Sequence, residues 1–158
     1  MRLRRTTANV RGVVSQVRRA VFARHSHPLS AWSRLATMPL VLVPFWTRTW
    51  SHAVFIAVWF LVNPVMFGRP RSTRSFASRA MLGEEIWMTE KRRDAALAID
   101  ALASGLTVGA AVAAWKRRPV VAAVSISLSM AVILEYWRRV ADIYDDSRTE
   151  KDEANISA

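Results

Sequence analysis

Apolar residues along this chain gather into four runs, set in two pairs around a polar bridge. The runs are Leu35–Thr47, Ser51–Phe67, Ala95–Trp115 and Pro119–Trp137. Thr47-Arg48-Thr49-Trp50 joins the first pair and Lys116-Arg117-Arg118-Pro119 the second. Each run is too uniformly apolar to offer the polar stripe that a helix of a soluble bundle needs. Ala101–Ala114 and Val120–Leu134 contain no charge at all. The pattern therefore predicts an all-α integral membrane protein rather than a soluble four-helix one.

The first run is thirteen residues, a helix of roughly 20 Å against a hydrocarbon core of ~30 Å. Pro39 and Pro44 weaken it further. Starting at Ala31, with Ser30 as N-cap after Pro28, would lengthen it. Reading Leu35–Phe67 as one helix would place Arg48 near the bilayer centre, at a cost on the order of 3 kcal/mol. A hairpin with Arg48 at its tip avoids that cost, and its ends return to the same side whether it crosses fully or re-enters. The expected architecture is four short transmembrane helices as two hairpins joined by a polar cytoplasmic bridge. Its segments are a basic arm (1–30), a first hairpin (31–67), a bridge (68–94), a second hairpin (95–141) and an acidic disordered tail (142–158). In the arm, Val10, Val13, Val14, Val17 and Val21 share one face of an amphipathic helix suited to a membrane surface; a solvated arm is the alternative.

Charge refines the topology. The chain has 158 residues, consistent with one domain, is 52% apolar and carries a net charge of +11. Thirteen arginines lie between Arg2 and Arg79, no acid precedes Glu84, and six acids fall in the last seventeen residues. With four crossings and both termini cytoplasmic, nineteen Lys and Arg lie inside and four outside, the orientation that the positive-inside rule favours, and the expected location is the cell (inner) membrane. The basic turn at Lys116 is the one feature against it. The basic front suits the lipid bilayer and its anionic lipids; nucleic acid is disfavoured, since no recognition module is present. There is no cysteine, so thiolate metal sites and disulfides are excluded.

Small residues recur at every fourth position as Ala101, Gly105, Gly109 and Ala113, and again as Ala123, Ser127 and Ala131. These ridges are expected to pack the second hairpin, or to receive a second copy or another membrane protein. Asp100 would form an intramembrane ion pair with Arg138 or Arg139.

The bridge holds the densest polar chemistry. Pro70-Arg71-Ser72-Thr73-Arg74-Ser75 precedes a helix predicted over about Phe76–Trp87, whose Phe76, Ala80, Gly83 and Trp87 share a face that would lie in the membrane interface. Arg71, Ser72, Thr73, Arg74 and Arg79, with Arg34 from the first hairpin, form a candidate site for an anionic lipid or a phosphate-bearing ligand. His27, Trp32, Glu84 and Trp87 complete a polar patch at the inner face. Three other readings stay open: a structural or regulatory partner of another membrane protein, a transporter that would need to oligomerise, and an enzyme using His25, His27, Glu84 and Glu85. No signature of a metal or cofactor site accompanies that histidine pair, and none is expected.

The motifs His27-Pro28-x-Ser30-x-Trp32-Ser33-Arg34, Asn63-Pro64, Pro70-Arg71-Ser72-Thr73 and Ser78-Arg79-x-x-Leu82-Gly83-Glu84-x-x-Trp87 occur in that order. Trp137-Arg138-Arg139 and Tyr144-Asp145 close the series. In this order the chain, from about His25 to Tyr144, resembles an uncharacterised family of small prokaryotic integral membrane proteins. The resemblance implies paired apolar segments around the Pro-Arg-Ser-Thr bridge and a membrane location, and it implies no activity. The basic arm and acid-poor first half differ from the acidic surfaces of salt-adapted members.

Overall fold

The computed structural model describes residues 24–68, 70, 72–90 and 94–157, and all regular secondary structure among them is helical. The amphipathic helix expected before Arg24 lies outside these residues. Helix α1 (Pro28–Thr37) starts earlier than Ser30 as N-cap would place it. Pro28 takes the first turn, where its missing N–H is no loss, and the ring Nδ1 of His27 accepts from the Leu29 N–H at 3.3 Å. Ser30 is thereby left inside the helix with its side chain free for another role. A 3-10 segment (Met38–Leu42) with Pro39 in its first turn leads into the short α2 (Val43–Thr47). The 3-10 stretch rises more per residue than an α-helix, so the helical rise summed along Pro28–Thr47 is roughly 32 Å. Arg48, in the left-handed conformation (φ 56°), ends the run and makes the hairpin tip. Helix α3 (Trp50–Met66) returns antiparallel, carrying Pro64 two residues before its end.

The bridge folds into α4 (Phe76–Glu90), opened by Ser75, whose hydroxyl accepts from the Ser78 N–H at 3.2 Å. The predicted face is present, with Ala80 and Gly83 buried and Phe76 and Trp87 packed against the core. It faces protein, however, rather than a membrane interface. Its partner is the second half of the last helix, with Tyr136, Trp137, Val140 and Ala141 in the shared core. Gly83 permits this approach: a Cβ there would stand 1.7 Å from the Val140 carbonyl oxygen. Ala31 and Leu35 of α1 complete the core.

Helix α5 (Ala95–Trp115) is capped by Asp94, which accepts from the Ala96 N–H at 3.0 Å. A turn through Lys116 and Arg117 (φ 57°) leads to α6 (Pro119–Ile156). Their seam differs from the predicted ridges. Ala103, Ala110 and Ala114 face Ala122, Ile126 and Ser129, and Ser129 donates to the Ala103 carbonyl at 2.8 Å. Of the seven predicted ridge residues only Ala113 is buried. Ala101, Gly105, Gly109, Ala123, Ser127 and Ala131 are exposed, and a Cβ on Gly105 or Gly109 would meet nothing within 4 Å. A spacing of four drifts around a helix, and the Ala103–Thr107–Ala110–Ala114 track, which follows the 3.6 period, wins.

A disordered tail is expected from Asp142 onward, but α6 continues unbroken to Ile156, thirty-eight residues in all. Extending an existing helix costs far less than nucleating one, and the tail is rich in Asp, Glu, Arg and Lys. The two hairpin tips meet at the end of the molecule away from α4. The Arg48 guanidinium lies 4.7 Å from the Trp115 ring and donates to its carbonyl at 3.2 Å, while Arg117 lies 5.1 Å from Trp46.

Of the four expected crossings, two lie on helices long and apolar enough to cross a membrane among the described residues, those of α5 and α6. Helix α3 is apolar but has only seventeen residues, and the first run is broken by its 3-10 segment.

Candidate functional site

The sequence motifs converge where α1, α3, α4 and α6 meet. Ser30 donates to Asn63 Oδ1 at 2.8 Å, and Asn63 Nδ2 donates to Ser33 at 2.8 Å, joining the first motif to the Asn-Pro pair. His27 stacks on Phe67 at 5.3 Å. Trp32 packs edge-on to Trp137 at 5.5 Å and tilts against Phe76. Trp87 packs edge-on to Tyr136 at 6.0 Å and donates to Asp94 at 3.0 Å. Ser78 donates to the Ser26 carbonyl at 2.7 Å.

Beside this junction lies an open cavity of about 450 Å³. Its polar groups are His25, Arg34 and Glu84. The remaining walls are apolar: Leu35, Met38, Val41, Phe60, Met81, Ile133 and Trp137. Arg34 is aimed by α1 itself, its Nε donating to the Ser30 carbonyl at 3.2 Å. Its Nη1 lies 3.0 and 2.9 Å from the two ring nitrogens of His25, and Nη2 donates to the Met81 sulfur at 3.5 Å. No carboxylate touches this guanidinium among the described residues. Glu84 faces the same space without reaching Arg34, and accepts from the Tyr136 hydroxyl at 3.3 Å.

Burial, and secondarily the nearby Arg34 charge, lowers the His25 pKa to about 4, so its ring is neutral at physiological pH. Burial pushes the Glu84 carboxyl above its usual range; the Tyr136 hydrogen bond and Arg34 oppose that shift, and Asp100 adds to it. The cavity thus combines a cation that no carboxylate touches among the described residues and a carboxyl that resists ionisation.

The residues expected to form one anionic-ligand site are divided by their contacts. Arg34 lines the cavity. Arg79 pairs with Asp145, and Thr73 accepts from the Tyr144 hydroxyl at 3.5 Å. Arg74 is exposed, its N–H bonded to Ser72 Oγ at 3.2 Å, and Arg71 lies outside the described residues. Asp100 is exposed and does not pair with Arg138 or Arg139; both arginines instead hold Glu135 on their own helix, at 2.8 and 2.9 Å. A partner one turn away wins over one on another helix. Of the four residues in the enzyme reading, His25 and Glu84 line the cavity, while His27 caps α1. No group of three or more His, Cys, Asp or Glu suited to a metal occurs among the described residues. Sequence reasoning missed Tyr136 and the apolar walls; a tyrosine between Glu135 and Trp137 was the available signal.

The model of a family of unknown function, DUF6653, matches residues 15–158, a wider span than the motifs alone. No curated protein and no solved structure matches the chain.

Proposed function

We propose, for a chain that belongs to the DUF6653 family of unknown function, that this is a multi-pass membrane protein holding an anionic phospholipid in the α1–α4–α6 cavity. The carrying observation is the cavity itself: Arg34, touched by no carboxylate among the described residues, at one part of its lining and seven apolar side chains around the rest. That arrangement matches an amphiphile, with a phosphate held by the guanidinium fork and an acyl chain against the apolar wall.

Burial supports the membrane reading. The most apolar windows of α5 and α6 are only 22% and 28% buried, whereas the core helix of a soluble protein would be mostly buried. Trp50, Phe55 and Leu61 on α3 are 86%, 81% and 75% exposed, and Leu102, Val108, Val120 and Leu128 continue the apolar surface on α5 and α6. Such an area in contact with water would be an aggregation surface; in contact with lipid it is ordinary. The meeting of Arg48 with Trp115 supports placing both hairpin tips on one side, and the Lys and Arg count supports making the opposite side, with the bridge and α4, the cytoplasmic one. On this reading the polar second half of α6 leaves the membrane and carries α4 as a cytoplasmic base.

A second reading, a helix-binding partner of another membrane protein or of a second copy, is favoured by the outward-facing Gly105-x-x-x-Gly109.

Lipid analysis of the purified protein tests the proposal. Co-purifying phospholipid enriched in anionic headgroups relative to the source membrane is expected. A co-purifying pool with the bulk composition would contradict it.

A further inference from the structure

We infer that Glu84 is the specificity-determining residue of this cavity: neutral, it admits an anionic phosphodiester to Arg34, and ionised, it turns the site toward a headgroup that carries its own cation. The inference rests on the lipid-binding reading and deepens it.

The geometry carries it. Arg34 and Glu84 line one cavity from different helices, α1 and α4, and are not in contact. A headgroup entering the cavity therefore meets both. Tyr136 donates to Glu84 Oε1, so a neutral carboxyl bonded in this way keeps Oε2 for its proton and can donate it to a phosphate oxygen. Among the described residues Arg34 then supplies the full positive charge on the cavity lining, because His25 is neutral. An ionised Glu84 reverses the situation: it offers only acceptors, repels a phosphodiester, and with Arg34 forms a separated plus–minus pair that suits a zwitterion.

The groups bearing on Glu84 from the surrounding elements are Arg34 on α1, Asp100 on α5 and Tyr136 on α6. His25, which precedes α1, shares the cavity and stays uncharged above about pH 4. Burial acts in the same direction as Asp100, toward a carboxyl that is still protonated above its usual range. Binding of the anion and of one proton are then linked, and each strengthens the other. The preference for an anionic headgroup falls by up to about tenfold per pH unit once the pH exceeds the pKa of Glu84, because one proton is exchanged.

Full-length protein in nanodiscs of equimolar phosphatidylglycerol and phosphatidylethanolamine tests this, the lipid retained on gentle release being counted by native mass spectrometry between pH 5 and 8. Both headgroups keep their charge over that range. The wild type is expected to lose its phosphatidylglycerol preference as pH rises, and Glu84→Gln to keep it at every pH. A preference that is flat with pH in the wild type, or that changes equally in Glu84→Gln, overturns the role of Glu84 while leaving the lipid-binding reading intact. Retention of neither lipid at any pH overturns both. Inorganic phosphate added as competitor distinguishes a site for the free anion, which would displace the lipid, from one that needs the acyl chains.

Discussion

Ser30 and Asn63 lie thirty-three positions apart, are fully buried, and share a 2.8 Å hydrogen bond in which the hydroxyl donates. Asn63 passes its own amide hydrogen to Ser33, so three polar side chains satisfy one another where α1 crosses α3. In apolar surroundings such a network fixes register, because every slipped pairing strands a polar group. Asn63→Leu is expected to cost about 1–3 kcal/mol by leaving the serine hydroxyls without that partner. Thermal unfolding in detergent measures it, and an unchanged midpoint would show that the hydroxyls find other partners.

The glycines separate packing from mere spacing. Gly83→Ala drives a methyl group into the Val140 backbone and is expected to part α4 from α6, with loss of folded protein or a large fall in melting temperature. Gly105→Ala and Gly109→Ala meet open space and exchange a poor helix former for a good one, a gain of up to about 1 kcal/mol each. A destabilised Gly105→Ala would mean that another chain occupies that face.

Stability depends on pH in two opposed ways. Between pH 6.5 and about 4 the unfolded chain takes up a proton at His25 that the folded protein does not. His25 therefore contributes fully above pH 6.5, and stability falls as the pH drops, by at most about 1.4 kcal/mol per pH unit. Glu84 has the reverse sign: its raised pKa gives stability that is present at low pH and lost as pH rises through the folded value. Denaturation midpoints from pH 4 to 8 are expected to lose their acid slope in His25→Gln and to rise at the alkaline end in Glu84→Gln. Parallel curves for all three proteins would contradict the burial of both groups.

The clasp between hairpin tips is a separate matter. Arg48 and Trp115 are both exposed, so a double-mutant cycle with Arg48→Ala and Trp115→Ala is expected to return a coupling of only about 0.5–1 kcal/mol. Zero coupling would leave the tips as neighbours without attraction.

Much of this fold was legible because its signals are local. Arg48 at a tip, a helix opening at Phe76 and a turn at Lys116 each follow from a charge or a capping residue beside an apolar run. A resemblance to a family of unassigned function was legible as well, and a family of unknown function does match residues 15–158. What the sequence withheld depends on which face meets which. Gly105 and Gly109 match a packing motif, yet the helix turns Ala103 and Ala110 inward. The acidic tail reads as disordered because its composition is polar, whereas the helix that carries it is held by Val140 and Ala141 against α4. The sequence places Arg34 and Glu84 on one polar face, but the apolar wall that makes a cavity of it, with Met38, Phe60 and Ile133 from three separate segments, depends on packing that no local pattern shows.

The central claim is that an anionic lipid is held by Arg34 in the cavity and not by the exposed bridge arginine Arg74. Native mass spectrometry of wild type, Arg34→Gln and Arg74→Gln, each released gently from its own membrane, tests this most directly. One anionic lipid retained by the wild type and by Arg74→Gln, and lost from Arg34→Gln, is the predicted result. Retention by Arg34→Gln with loss from Arg74→Gln, or no lipid on any of the three, would contradict it.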